Sequence, residues 1–466
     1  MNKIKMPVLL AAAAAVLCTA AACGSKKAKP RPPKGEIKPA AQGWTPPSII
    51  TALGPDMLHN VSRSLLWSSR KGKSRPPAML ANDGDILIAS FGELGLSFPY
   101  RESDGAQLTL THEKGRLYID GRAVSVSLSP ESAADEWDWV QQASEDELAG
   151  LRMLQLEGSI DPGKIQTLRH LARANPGIGM IIDKEKALLE LLSFFNPQYL
   201  VATSPEIAQA DTALLGKAQN LEVLWINAGH LESLDFLAGL PLLHTLLIDK
   251  WKVEITGPLP SGMKNLRSLA VMDSSMTDLG PLSNMEHIEE LYLLDCDDLS
   301  DPGALGQHPK LKILRIGACE QPCDLSGLSK LAELKWLAPP SEIGQAQFAS
   351  VVCGQPGLHY VDLVASDNIT DLSPLSCLPD LRGLVALSKA QDFSALKEIK
   401  TLSYLVLPDE AFDEAPEEIR RLEEALPGCR VVQGGICLGS GWILLLLPVM
   451  ALACLQAFFR RRRGIA

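Results

Sequence analysis

Nine six-residue segments follow one hydrophobic plan: LEVLWI, LHTLLI, LRSLAV, IEELYL, LKILRI, LAELKW, LHYVDL, LRGLVA and LSYLVL. They begin at Leu221, Leu243, Leu266, Ile288, Leu311, Leu331, Leu358, Leu381 and Leu402. Their first, fourth and sixth residues are apolar in every copy, and successive starts lie 22, 23, 22, 23, 20, 27, 23 and 21 residues apart. A period in the low twenties predicts one short strand per unit, with the fourth and sixth side chains turned inward. No such unit can bury its apolar edge alone, so the units are expected to stack into one continuous core. The long step from Leu331 to Leu358 contains PPSEIGQAQFAS, which reads as an insertion.

Three copies carry a corner signature after the strand: HLESLDFLAGLPLL from His230 to Leu243, MTDLGPLSNM from Met276 to Met285, and ITDLSPLSCLPDL from Ile369 to Leu381. Asp is suited to cap a short 3₁₀ or helical turn there, and Pro fits the first positions of that turn. The strand pattern L-x-x-L-x-L and this corner resemble the leucine-rich repeat, in its short internalin-type form. The resemblance implies an α/β solenoid with parallel strands on a concave face, and non-enzymatic binding on that face. At the ninth position such repeats usually hold Asn. Here it is Gly229, Trp251, Ser274, Cys296, Cys319, Pro339, Ser366, Lys389 and Glu410. Cys and Ser can partly replace the amide, whereas Trp251, Pro339 and Lys389 predict irregular turns.

Upstream the units lengthen. IQTLRHLARANPGIGMII (165–182) aligns with IRRLEEALPGCRVV (419–432) at an offset of 251, each reading as helix, Pro-Gly and strand. Ala187–Ala202 is a looser third case, and LRMLQL starts at Leu151. The solenoid is therefore set at 148–432, with a last helix near 414–426. Residues 49–147 form a small β-rich N-terminal region, because short runs such as DILIAS, AQLTLT, RLYID and AVSVSL are separated by Gly, Asp and Pro.

Both ends point to the cell envelope. Lys3 and Lys5 precede an uncharged stretch from Met6 to Ala20, then small residues and Cys23. Residues 1–22 are read as a secretory signal. The box before Cys23 is similar to a bacterial lipoprotein signal and implies lipidation of Cys23, although Ala20 stands where that family usually has Leu. Residues 23–48 are a Pro/Lys-rich linker. Near the other terminus, Ile436–Phe459 is 24 residues without a charge, followed by Arg460 to Arg463. A helix of that length reaches about 36 Å, enough for a bilayer core of about 30 Å. We expect a transmembrane helix at 436–459, a cytoplasmic tail at 460–466 and the body outside. The tail, with Gly434-Gly435-Ile436-Cys437 before the apolar run and the arginines after it, is also similar to C-terminal sorting signals, in which the helix can be cut off; a permanent anchor is the default expectation.

Charge supports this and narrows the chemistry. The chain has 466 residues, 46% hydrophobic, and a formal net charge of −11. Without the eight basic residues and one acid of 1–39 and the four terminal arginines, 32 basic residues face 54 acidic ones. A body that acidic repels phosphate backbones, so nucleic acid is not an expected partner. Gly72-Lys73-Ser74 ends like a phosphate loop, but Trp67 occupies the place of its first Gly. There is no H-E-x-x-H and no C-x-x-C in the sequence, and no histidines pair at metal spacing. Neither catalysis nor a cofactor is expected. Of ten cysteines, Cys319 and Cys323 are one candidate disulfide, while Cys296 and Cys319 occupy equivalent places in adjacent units.

Binding of a protein partner is the expected function. Residues at positions three, five, seven and eight of the strands face the concave side. Those with recognition chemistry are Trp225, Asp249, Asp273, Glu290, Tyr292, Asp295, Arg315, Lys335, Tyr360, Asp362 and Tyr404. Aromatic and Arg side chains are common interface anchors, and Leu247, Val385 and Val406 add apolar surface. A structural scaffold without a dedicated ligand, and a carbohydrate or peptidoglycan binder, are the alternatives.

Overall fold

A computed structural model describes residues 78–80, 86–91, 94–99 and, with short interruptions, 110–434. The signal at 1–22, Cys23, the linker, the 436–459 segment and the arginine tail lie outside the described residues. Among the described residues no helix is long and apolar enough to cross a membrane.

The described strands make two sheets. Ala78–Leu80, Ile86–Phe91 and Leu94–Pro99 form a three-stranded antiparallel sheet. The other sheet has 16 strands in strict chain order. It opens with two antiparallel pairings among Leu110–Glu113, Arg116–Ile119 and Arg122–Leu128. From Arg122–Leu128 to Arg430–Gly434 every pairing is parallel, so the parallel stack begins upstream of residue 148. This is the leucine-rich repeat solenoid, with one strand per rung.

Each of the nine periodic segments meets a strand, from Val223–Asn227 to Tyr404–Pro408, although the sixth reaches its own only at its last residue, Trp336. Their first, fourth and sixth residues are buried, as in Leu243, Leu246 and Ile248 or Ile288, Leu291 and Leu293. With the leucines of the corners they form one continuous core from Val126 to Leu426. Each such side chain contributes roughly 1.5–3 kcal/mol by leaving water. Only neighbouring rungs supply that shelter.

One rung corrects the sequence reading. Strand Trp336–Ala338 pairs Ile313 with Trp336 and Leu314 with Leu337, and Leu337 pairs with Val361. Leu337 is therefore the fourth residue of its rung, and the rung starts at Leu334 rather than Leu331. Measured from Leu334, the uneven steps become 23 and 24 residues, and no insertion exists. Leu331 gave an apolar sixth residue, Trp336. The true register places Pro339 there, and Pro339 is also buried.

The corners follow from local chemistry. Asp278 Oδ1 accepts from Gly280 N at 2.6 Å, and Asp324, Asp371 and Asp392 accept in the same way two residues on. In each case the Asp sits one residue before the cap position of a 3₁₀ turn, not on it. The backbone N–H and hydroxyl of Ser326 hold the Asp324 carboxyl below the usual range, and the hydroxyl and backbone N–H of Ser394 do the same for Asp392. At the ninth position, Ser274 Oγ donates to Trp251 O at 2.9 Å, and Cys296 Sγ lies 3.4 Å from Leu294 O. Trp251 is fully buried and donates from Nε1 to Thr256 Oγ1 at 2.7 Å. Its bulk is accommodated by the extra turn Val253–Thr256.

The offset of 251 relates element boundaries as well as residues. Helix Ile165–Ala174 and strand Gly179–Asp183 correspond to helix Pro416–Ala425 and strand Arg430–Gly434. The late helix thus leads into another paired rung. The disulfide joins Cys353 to Cys377, from helix Gln345–Cys353 to the corner Ser373–Cys377 of the next rung. Cys296 is a buried free thiol, Cys323 is buried, and Cys319 lies outside the described residues.

Candidate functional site

Parallel register fixes which side chains share the concave face. The fifth-position row runs Trp225, Leu247, Ala270, Tyr292, Arg315, Ala338 through consecutive pairings. Asp362, Val385 and Val406 continue it. The third-position row holds Val223, Thr245, Ser268, Glu290, Ile313, Trp336, Tyr360, Gly383 and Tyr404. Gly383 makes room for its neighbour, since a Cβ there would sit 2.5 Å from Tyr360 Cδ1. Burial pushes the Tyr360 hydroxyl up to about 12.

Several expected recognition residues are already engaged. Arg315 Nη1 reaches Asp362 Oδ2 at 3.4 Å, with side-chain exposures of 14% and 2%. The pair spans the intervening strand, over the small Ala338. Tyr292 is 1% exposed and meets Trp336, its ring centroid 6.2 Å away at 43°. The Tyr292 hydroxyl and Trp225 Nε1 are buried without a hydrogen-bond partner. Lys335 is not on the concave face. The corrected register makes it a second-position residue, exposed, with Nζ donating to Gly357 O at 3.3 Å. Trp336, which the sequence reading placed in the core, takes the concave position instead.

The open part of the surface is the ridge where strands end. Lys250, Asp273 and Asp295 have positive φ of 57°, 48° and 49°. Each follows its strand directly and turns the chain with one left-handed residue, an unusual state for a side chain larger than Gly. Lys250 N donates to Met272 O and Asp273 N to Leu294 O, which ties the turns of adjacent rungs together. Asp273 and Asp295 are exposed and Asp249 is half-buried. Burial, reinforced by Asp273 and Asp295, pushes the Asp249 carboxyl up to about 6. Burial, with Asp297 and Asp273, raises Asp295 as well. Asn227 Nδ2 donates to Asp249 Oδ2 at 3.4 Å. The result is a stack of carboxylates on neighbouring rungs, beside the half-exposed Trp225.

Among the described residues, no group of His, Cys, Asp or Glu could hold a metal ion. No family model matches the chain, and no curated protein matches it. Solved structures do. An internalin, InlF, from Listeria monocytogenes is 18% identical over 58% of this chain and 94% of that one, with a TM-score of 0.35. A leucine-rich repeat protein of Leptospira interrogans is 15% identical over 66% of this chain and 99% of that one, at 0.30. TLR13 in complex with ssRNA13 is 17% identical over 61% of this chain and 43% of that one, at 0.36. At such identities the likeness is one of fold, and the rungs described above establish that fold independently.

Proposed function

We propose that this chain is an exported, membrane-anchored leucine-rich repeat module that binds a protein partner without catalysis. The acidic ridge carries the reading. Asp249, Asp273 and Asp295 recur on three adjacent rungs, two of them exposed on strained backbone, and such a ridge suits a basic partner surface. Trp225 supplies an aromatic anchor at its edge with an indole N–H still to be satisfied. Lipidation at Cys23 and a helix at 436–459 would hold the module to the membrane. The body's acidity argues against a nucleic-acid partner.

The test replaces the ridge and leaves the buried rows alone. Asp249→Asn, Asp273→Asn and Asp295→Asn together should abolish capture of partners by the full chain from an envelope extract, with the melting temperature unchanged or raised. Capture by the parent chain should fall with added salt. Undiminished capture by the triple variant sends the binding surface elsewhere. Mass spectrometry of the mature termini should find a lipid-modified Cys23 at one end and residues 436–459 at the other.

A further inference from the structure

Ten buried apolar side chains do not belong to the solenoid's core: Val223, Leu247, Ala270, Met272, Tyr292, Leu294, Trp336, Ala338, Val385 and Val406 are all buried, yet stand outside the continuous cluster. They are the third-, fifth- and seventh-position residues of their strands, all on the concave side. The core cluster lies on the other side, where the helices and 3₁₀ turns stack on one another. The sequence carries the same message. TLLI, SLAVM and LYLL do not alternate apolar with polar, and strands that read as unbroken apolar runs belong to sheets covered on both faces. The Arg315–Asp362 pair neutralises itself within this trough.

We propose that the chain's own apolar segment Ile436–Phe459 lies along this trough as a helix whenever no bilayer is present to receive it. Length, charge and position select it. The trough from strand Val223–Asn227 to strand Tyr404–Pro408 crosses eight strand spacings, about 38 Å. A 24-residue helix covers about 36 Å. The segment has no charged residue, and it begins two residues beyond the last strand of the same sheet. The apolar stretch of the expected signal, Met6–Ala20, would reach only about 22 Å. The inference rests on the membrane-anchor reading and adds a second resting place for the same helix.

The experiment uses the full chain with Val385→Cys, a change of small volume in the trough, made by cell-free synthesis. Labelling of residue 385 by a water-soluble maleimide is followed by peptide mass spectrometry. The same measurement is made with Leu445→Lys and Leu447→Lys added, which bars the segment from an apolar trough. Without vesicles, Cys at 385 should label at least about tenfold more slowly in the first protein than in the second. Phosphatidylcholine vesicles should remove that difference. The buried native thiol of Cys296 reports unfolding and should stay unlabelled throughout. Equal rates in the two proteins without vesicles, whether both fast (an open trough) or both slow (a different segment or a second copy as the cover), overturn the proposal. Slow labelling that persists with vesicles leaves the trough helix standing and removes the membrane anchor instead.

Discussion

Arg315 and Asp362 offer the sharpest test of the register. They occupy the fifth positions of rungs two strands apart, a separation of about 9.6 Å. An aspartate cannot cross that distance, but an arginine can, provided the residue between is small. Ala338 is that residue. Arg315→Met removes the cation and leaves the Asp362 carboxylate at 2% exposure. Breaking a buried pair from one side costs roughly 3–5 kcal/mol, because the remaining charge stays desolvated. Ala338→Leu should cost nearly as much with both charges intact, because it blocks the path. Replacing both partners, Arg315→Met with Asp362→Leu, should cost much less than the sum of the single changes, with a coupling of about 2 kcal/mol or more. Urea unfolding of the full chain, followed by far-UV circular dichroism, measures all four proteins. Added salt should change the differences little, since a buried pair is weakly screened. If Arg315→Met falls within about 0.5 kcal/mol of the parent, the pair behaves as an exposed one, and the assignment of Ala338 between them is wrong.

Two further outcomes follow from the corners. Removing the link between Cys353 and Cys377, which closes a loop of sequence separation 24, should cost about 3.5 kcal/mol on the chain-entropy model; non-reducing peptide mapping should find these two joined and Cys296 free. His308, buried with Nδ1 donating to Met285 O at 3.2 Å and Nε2 unpartnered, is pushed below its ordinary 6.5 by burial. The unfolded chain therefore takes up this proton first, so the stability it contributes is complete above pH 6.5 and lost as pH falls through its lower folded value. His308→Met, the residue at the same place in the rungs of Met263 and Met285, should flatten that part of the profile in denaturation measured between about pH 7.5 and 5.

The solenoid was legible because its physics repeats. A rung with Leu at positions one, four and six must bury them against a neighbour, and the error of any one rung is outvoted by the others. At Leu331 that vote misled. An apolar sixth residue favours a start at Leu331, whereas the true sixth residue is Pro339, which is buried. Three residues of slip moved Lys335 onto the concave face and hid Trp336 in the core. The acidic ridge needed only the end of each strand, so Asp249, Asp273 and Asp295 were visible as candidates. Their left-handed backbone was not, since nothing in the side chains demands it.

The pairings between rungs were out of reach for a different reason. Arg315 meets Asp362 across 47 residues, and Cys353 meets Cys377 across 24. Both separations are close to whole numbers of rungs, so both become predictable once the register at Leu334 is right and neither is predictable before. The same holds for the concave rows. Counted strand by strand, TLLI and LYLL look like generous core; aligned by rung, Leu247, Ala270 and Tyr292 fall in one line on the face away from the core. A line of apolar residues on that side is costly to leave in water. That cost is the physical reason to look for a cover on the concave surface.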